Sequence, residues 1–371
     1  MRCEVVVVGA GPAGALAAGA AAEAGGKTLL LERAPEAPAR CAGLVSPATA
    51  KRLGVPSALI LREIRAVRVI SPRGRAVEIR AEEAKGLVLD RTGLNRWLRE
   101  RAQEKGATLI PAAFRALRGE TLVTTKGPVD FAVLVGADGA RSGVARALGL
   151  PGPRELLLGV QAEVSAELGD TVEVHLGVVP DFFAWVVPAE EGLARVGLAT
   201  KRRREAVRYL REFLARRFPR APILSLWTGL IPIGPPARTV WGRVLLLGNA
   251  AAQVKPLTGG GLAFISLCAP IAGALAARGR ESIPEYETTW RNLIGQEQSF
   301  EERARSMFLK LSPETLEQLV QAWAHPKIAR ILAEDGDIDA FASIPKRIAR
   351  EPSLWPLLLS WARWLPREFF P

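Results

Sequence analysis

Histidine is almost missing from this chain. Only His175 and His325 occur among 371 residues, far apart in sequence. A multi-histidine metal centre is thereby excluded, and acid–base chemistry built on imidazole is disfavoured. Cysteine is also sparse: Cys3, Cys41 and Cys268 stand far apart, without metal-like spacing. An odd count argues against a disulfide framework. No period of 20–50 residues recurs, which excludes a repeat architecture. An export signal is not expected either. The uncharged run 5–22 is preceded only by Arg2 and Glu4 and is interrupted by glycines. A second uncharged run, 256–277, has membrane-spanning length but contains three consecutive glycines and Pro270. A buried helix behind a glycine-rich loop fits it as well.

What is present fits a packed protein of two domains. Hydrophobic residues make up 49% and charged residues 24% of the chain, which excludes intrinsic disorder. The net charge is +12, carried by 50 basic against 38 acidic residues, and arginine supplies most of the basic ones. A soluble, cytoplasmic protein is expected.

Residues 3–8 (CEVVVV) have the β-branched, non-alternating pattern of a strand buried on both faces. An alanine-rich helix over 12–24 and a second buried strand over 27–32 follow, which makes one right-handed crossover of a parallel sheet. Alternation over 62–80 around Ser71-Pro72-Arg73-Gly74 predicts a hairpin. Residues 92–105 form a helix with Leu94, Trp97, Leu98 and Ala102 on one stripe. Strands are expected at 107–114, 121–125 and 132–136. Strand patterns dominate 155–200 as a mainly antiparallel sheet. A basic helix spans 201–218, a buried strand 243–248, and helices fill the chain from about 281.

Gly9-Ala10-Gly11-Pro12-Ala13-Gly14 is a GxGxxG loop placed between a strand and a helix. Gly9 allows the tight turn, Gly11 lets backbone approach a pyrophosphate, and Gly14 lets the helix pack on the sheet. The helix N-terminus offers free N–H groups and partial positive charge. Glu32 ends the second strand, where its carboxylate can accept both ribose hydroxyls. This constellation points to an adenine dinucleotide. Asp138-Gly139 at a later strand end and Gly259-Gly260-Gly261 before an apolar helix supply two further loops.

With these segments the chain resembles the flavoprotein superfamily of aromatic hydroxylases, and within it the geranylgeranyl reductase family. The segment Gly248-Asn249-Ala250-Ala251 with Pro256 to Gly261 is similar to the superfamily's GDAAxxxxPxTGxG, and Asn249 replaces its Asp. Asn249 can hydrogen-bond a ribityl hydroxyl but brings no charge. Arg40-Cys41-Ala42-Gly43-Leu44 resembles the family's segment beside the flavin ring. Phe183-Ala184-Trp185-Val186-Val187-Pro188 resembles its YxWxFP strand, which lines the polyprenyl pocket; a phenol is lost and an apolar wall kept. Arg91 matches the arginine of RxxFDxxL, which reaches FAD. The resemblance covers about residues 1–280.

The resemblance implies an α/β fold. A Rossmann-like FAD-binding domain (1–60, 90–154, 240–280) would join a mainly antiparallel β-sheet substrate domain (61–89, 155–239) and a C-terminal helical region (281–371). It also implies FAD as cofactor, held by Gly9, Gly11, Ala13, Gly14, Glu32, Arg40, Cys41, Ala42, Leu44, Arg91, Asp138, Asn249, Gly260, Gly261 and Leu262. Phe183, Trp185 and Pro188 would hold an isoprenoid lipid. The implied reaction is hydride transfer from reduced flavin to a carbon–carbon double bond. An isolated alkene has no carbonyl to take up charge, so a proton donor must stand near the flavin in a dry site. Cys41 is the candidate by analogy, with flavin-bound water as its rival. A monooxygenase of an aromatic or polyprenyl-quinone substrate, using NAD(P)H, and a non-catalytic flavin or isoprenoid carrier remain as alternatives. The electron donor, NAD(P)H or ferredoxin, is open, as are the lipid headgroup and the number of double bonds reduced.

Two segments that carry none of the family's motifs have their own readings. The nine basic residues over 201–220 are either a solvated face or an attraction for anionic lipid, isoprenoid diphosphate or an acidic electron donor. Nucleic acid is not expected, because no recognised binding motif accompanies the charge. The tail 352–371, with Trp355, Trp361, Trp364, Phe369 and Phe370, suits either peripheral contact on the inner face of a membrane or packing on the protein's own body.

Overall fold

A computed structural model describes residues 2–355. Strand Arg2–Val8 lies at the centre of the first sheet, parallel to Thr28–Glu32 on one side and Gly127–Gly136 on the other. Thr108–Pro111 extends the sheet beyond Thr28–Glu32, and Val244–Leu246 and Val240–Trp241 extend it beyond Gly127–Gly136. Val5, Val6 and Val7 are fully buried, as a run with no alternation requires.

Helices on one face pack unusually close. Helix Pro12–Glu23 is mostly alanine and glycine, and it lies against helix Leu262–Ala277. A β-carbon at Gly273 would sit 2.1 Å from the Ala17 carbonyl oxygen. Small residues are therefore a packing requirement of this pair, and the uncharged run 256–277 becomes a turn followed by this buried helix. Among the described residues, no helix is long and apolar enough to cross a membrane.

The second sheet runs Ile223–Ile233, Glu155–Ser165, Leu193–Thr200, Ala184–Pro188, Thr171–His175, Ala66–Ile70, Ala76–Arg80. It is antiparallel except where Thr171–His175 pairs parallel with Ala66–Ile70. Helix Ala206–Arg217 packs Leu210, Phe213 and Leu214 against it. A three-stranded sheet, Leu44–Val45, Gly86–Leu89 and Ile60–Ile64, accompanies these two. Helices Ile283–Phe308, Pro313–Trp323, Pro326–Asp335 and Ser343–Ala349 complete the described chain.

Four expectations need adjusting. The hairpin holds at Ala66–Ile70 and Ala76–Arg80, but Ile60–Ile64 belongs to a different sheet. The strand expected at 107–114 is split into Thr108–Pro111, which pairs with Thr28–Glu32, and Phe114–Arg118, which turns away to pair with Thr121–Thr124. The strand at 132–136 begins earlier, at Gly127. Its first half alternates because it pairs with Thr121–Thr124 in a half-exposed hairpin. The basic helix begins only at Ala206, so Lys201 to Arg204 lie in a turn. Of the aromatic tail, only Pro352 to Trp355 are described; Trp361, Trp364, Phe369 and Phe370 lie outside the described residues.

Helix Ala206–Arg217 is tied to the sheet through charge. Arg217 donates two hydrogen bonds to Glu173, at 2.9 and 2.7 Å, and His175 Nε2 lies 2.8 Å from the same carboxylate. Burial raises the Glu173 carboxyl, but Arg217 and His175 outweigh it and hold the group at about 2. The unfolded chain binds this proton more tightly, so the stabilisation is complete above the ordinary value of 4.5 and is lost as pH falls towards 2. Its size is about 3 kcal/mol. Urea unfolding of Glu173→Gln should show a flatter stability profile over this acid range than the parent; parallel profiles would refute the assignment.

Candidate functional site

The GxGxxG loop closes on itself. Gly9 has φ +96°, and a β-carbon there would lie 2.5 Å from the Ala137 carbonyl oxygen. At Gly14 the same atom would lie 1.8 Å from the Gly9 carbonyl oxygen, so the helix can start only with a bare Cα there. Gly11 differs: nothing lies within 4 Å of its β-position. Helix Pro12–Glu23 has no side-chain N-cap, so its amino end remains available to an anion. Glu32 accepts the Ala10 N–H at 2.9 Å and the Ala34 N–H at 3.1 Å, which brings its carboxylate beside the loop. Ala13 meets the second glycine segment: a β-carbon at Gly248 would stand 2.7 Å from Ala13 Cβ.

Asp138 is committed internally. Its carboxylate accepts from Ser142 Oγ (2.6 Å), Gly143 N (2.6 Å) and Val144 N (3.1 Å), and so fixes the turn into helix Gly143–Ala147. Only its backbone reaches the first loop, where Asp138 Cα would be 3.0 Å from a Gly9 β-carbon.

The later loop carries the GDAAxxxxPxTGxG-like segment and is braced by side chains that the motif does not specify. Asn249 lies in the short turn Gly248–Ala251, with Oδ1 3.5 Å from the β-position of Gly261. Ala252 has φ +51°, the one non-glycine in the left-handed region among the described residues, at a cost of about 1 kcal/mol. Gln298 holds it by donating to the Ala252 carbonyl at 2.9 Å, and Gln253 accepts the Gly248 N–H at 2.8 Å. Gly259 approaches the second sheet, its β-position lying 3.2 Å from Ile231 and 3.6 Å from Phe182. Gly260 sits on Lys255, and Leu262 opens the buried helix.

A cleft of about 490 Å³ lies between the Cys41 segment and the second sheet; Arg40, Cys41, Arg91, Glu163, Arg195 and Trp227 are among its walls. Cys41 is exposed to it. Arg40 donates a long bond to the Thr228 carbonyl at 3.4 Å. Arg195 is 8% exposed and donates to the Ala42 and Leu89 carbonyls at 2.8 and 3.2 Å, with Glu163 3.5 Å from its Nε. Gly43, at φ +85°, makes room for that guanidinium, which would lie 2.7 Å from a β-carbon. Leu44 continues into a strand pair with Val88. Arg91 donates to Asn95 at 3.3 Å, while its Nε is buried without a partner. A larger hollow of about 760 Å³, walled by Arg154, Trp290 and Arg303 among others, contains none of the predicted site residues.

The aromatic strand is ordered around Trp185. Its indole lies flat on Gly197, where a β-carbon would be 2.5 Å from the ring, and its Nε1 donates to Gln161 at 2.8 Å. Phe183 meets it edge-on at 6.2 Å and stacks on Phe182 at 4.4 Å. Trp185 packs on the same small core that Ala42 and Leu44 cover, and Pro188 is buried at the strand end.

A family model described as glucose inhibited division protein A matches residues 4–111. The chain is 34% identical over 360 residues to digeranylgeranylglycerophospholipid reductase 2 of Methanothermobacter thermautotrophicus, covering 87% of this chain and 92% of that protein. The chain belongs to the digeranylgeranylglycerophospholipid reductase family. Among solved structures, a geranylgeranyl bacteriochlorophyll reductase-like protein from Thermoplasma acidophilum aligns at TM-score 0.81 and 22% identity, over 94% of this chain and 99% of that one. A flavin-dependent brominase aligns at TM-score 0.71 and 16% identity, over 94% and 99%. At these identities the likeness carries the fold, which is that of flavoproteins.

In this reductase-family member, several polar atoms await a partner. Arg91 Nε and Thr258 Oγ1 are buried and unpartnered, one beside the Cys41 cleft and one in the glycine loop. With the open Gly11 face and the uncapped helix, they fit a flavin dinucleotide laid from the first loop to the glycine triplet. Sequence reasoning missed Arg195, Gln161, Gln253, Lys255 and Gln298. Gln253 and Lys255 stand at unspecified positions of the late glycine segment and the others belong to no motif; the one available signal was a charged residue inside an otherwise buried strand, as at Arg195.

Proposed function

We propose that this chain is an FAD-dependent reductase that saturates carbon–carbon double bonds in the geranylgeranyl chains of a glycerophospholipid. The reading rests chiefly on a relative named for that substrate, aligned over nearly its whole length. It is supported by the approach of Gly259 to two apolar side chains, Ile231 on the second sheet and Phe182 just before strand Ala184–Pro188. Residues 1–60, 90–154 and 240–280 hold the cofactor, residues 61–89 and 155–239 face the lipid, and the described part of the C-terminal helical region, 281–355, braces both.

Bound and reduced FAD supplies a hydride. The residues of the chain do the rest. Gly11 and the helix amino end receive the pyrophosphate, Glu32 the ribose, and Arg91 and Asn249 the middle of the cofactor. Arg195 grips the Ala42 carbonyl and so fixes the Cys41 segment at the cleft. Cys41 delivers the proton to the alkene carbon that does not take the hydride. Phe183, Trp185 and Pro188 hold the chain apolar and dry, and the Gln161 bond keeps the indole N–H from facing it.

The test is anaerobic reduction of the purified protein, addition of digeranylgeranylglycerophospholipid, and mass spectrometry of the product. Gain of hydrogen pairs supports the reading; an unchanged lipid, or oxygen incorporated in air, counts against it. In the same assay Cys41→Ala should keep its yellow colour and lose about 100-fold in turnover, the scale of a removed proton donor. Full turnover in that variant would transfer the proton step to water.

A further inference from the structure

Behind the glycine loop lies a buried charge cluster that the proposed chemistry does not use. Lys255 Nζ donates to Asp339 at 2.6 Å, and the two side chains are 5% and 9% exposed. The Lys255 stem forms the floor of the loop: its Cε would be 2.9 Å from a β-carbon on Gly260. Its backbone closes the turn through Lys255 N to the Gly260 carbonyl (2.8 Å) and Gly259 N to the Lys255 carbonyl (2.7 Å). Asp339 also accepts from Ser46 N (2.8 Å) and Thr49 Oγ1 (2.7 Å), just after the Cys41 segment. One carboxylate from the C-terminal helical region therefore ties both predicted flavin-flanking segments together.

Glu301, on helix Ile283–Phe308, completes the cluster. It is fully buried, accepts the Leu257 N–H of the loop at 3.0 Å through Oε2, and has no partner for Oε1. The charged groups facing it are Lys255 from the loop, Asp339 from the C-terminal region and Glu297 one turn back on its own helix. Lysine and Asp339 already neutralise each other, so a charge on Glu301 would be uncompensated in a dry site.

We propose that Glu301 is a proton-holding positioning residue beneath the flavin-facing glycine loop, anchoring Leu257 through Oε2 in either protonation state and, when ionised, placing a net negative charge under that loop. Burial pushes its carboxyl up to about 7, against the pull of Lys255 and of the Leu257 N–H, so the switch falls in the working range of most proteins. Reduction adds electrons to bound flavin, and a negative charge held in low dielectric nearby disfavours that addition. The midpoint potential of the flavin should therefore fall more steeply with pH above 7 than below it.

The inference rests on the flavin reading above, and two measurements separate them. Dye-linked reductive titration of the holoprotein at a series of pH values should show the added downward bend near pH 7 in the parent. Glu301→Gln, which keeps the Leu257 bond and cannot ionise, should lose that bend while retaining flavin. Identical potential profiles in the two proteins would overturn the proposal. Infrared difference spectra between pH 6 and pH 8, on flavin-free protein, read the carboxyl directly. A neutral-acid carbonyl band that disappears at the higher pH, and is missing from Glu301→Gln, is expected. A parent without such a band refutes the proton-holding role even if flavin binds, whereas a parent with the band that refuses flavin refutes the cofactor reading alone. If Glu301→Gln fails to fold, Glu301→Met serves as the neutral variant in both measurements.

Discussion

Gly11→Val should fold and melt like the parent and yet purify colourless, with flavin affinity lower by about 100-fold or more, equivalent to about 2.7 kcal/mol. Gly11 has φ −68° and ψ −179°, extended backbone that any residue adopts. Its β-position meets no atom within 4 Å, so the folded chain pays nothing for a side chain there. That open space lies at the uncapped amino end of helix Pro12–Glu23, where the diphosphate of the cofactor would approach backbone. Gly14→Ala is the contrasting control. Its added carbon would fall 1.8 Å from the Gly9 carbonyl oxygen, and backbone cannot turn aside as a flexible side chain could. That variant should lose stability first and flavin as a consequence. Calorimetry and a flavin absorbance titration distinguish the pair, and wild-type affinity in Gly11→Val would mean that the loop does not hold the diphosphate.

The second large effect is on stability. Asp339→Ala should cost about 3–5 kcal/mol, because it strands the Lys255 ammonium in a site closed to water. It also deprives Ser46 N and Thr49 Oγ1 of their acceptor. Replacing both partners, as Lys255→Met with Asp339→Leu, should recover much of that loss, since no uncompensated charge remains. Burial raises the Asp339 carboxyl, but Lys255 and the Ser46 and Thr49 donors outweigh it and hold the group below the ordinary aspartate value. Its stabilisation is therefore complete above that value and is lost as pH falls through the folded-state pKa. Urea unfolding at neutral pH should place Asp339→Ala far below the parent, and the gap should narrow in acid. A loss under 1 kcal/mol at neutral pH would show that the pair is solvated rather than buried.

Local physics made part of this molecule readable in advance. A run such as Val5 to Val8 that never alternates has no solvent face, so it belongs inside a parallel sheet. Gly9, Gly11 and Gly14 could be assigned separate jobs because each answers a different steric demand within one short loop. Trp185 was legible as part of an apolar strand, but its partner Gln161 was not, since a glutamine inside a strand looks like any solvent-facing residue. Asp138 shows the opposite limit: its position was foreseen, yet its carboxylate is spent on the turn into helix Gly143–Ala147.

The sequence alone determined the crossover unit, the glycine turns, the aromatic strand and the kinship with flavoprotein reductases, because each is written in contiguous segments that can be read without knowing what packs against them. Tertiary structure alone decided that Asp339 bonds Ser46, that Arg195 grips the Ala42 carbonyl, and that Glu301 lies beneath Leu257. Those partners are separated by tens to hundreds of residues. No periodicity or local propensity links them; only the docking of two sheets and a helical region excludes the water that would otherwise have taken each partner's place.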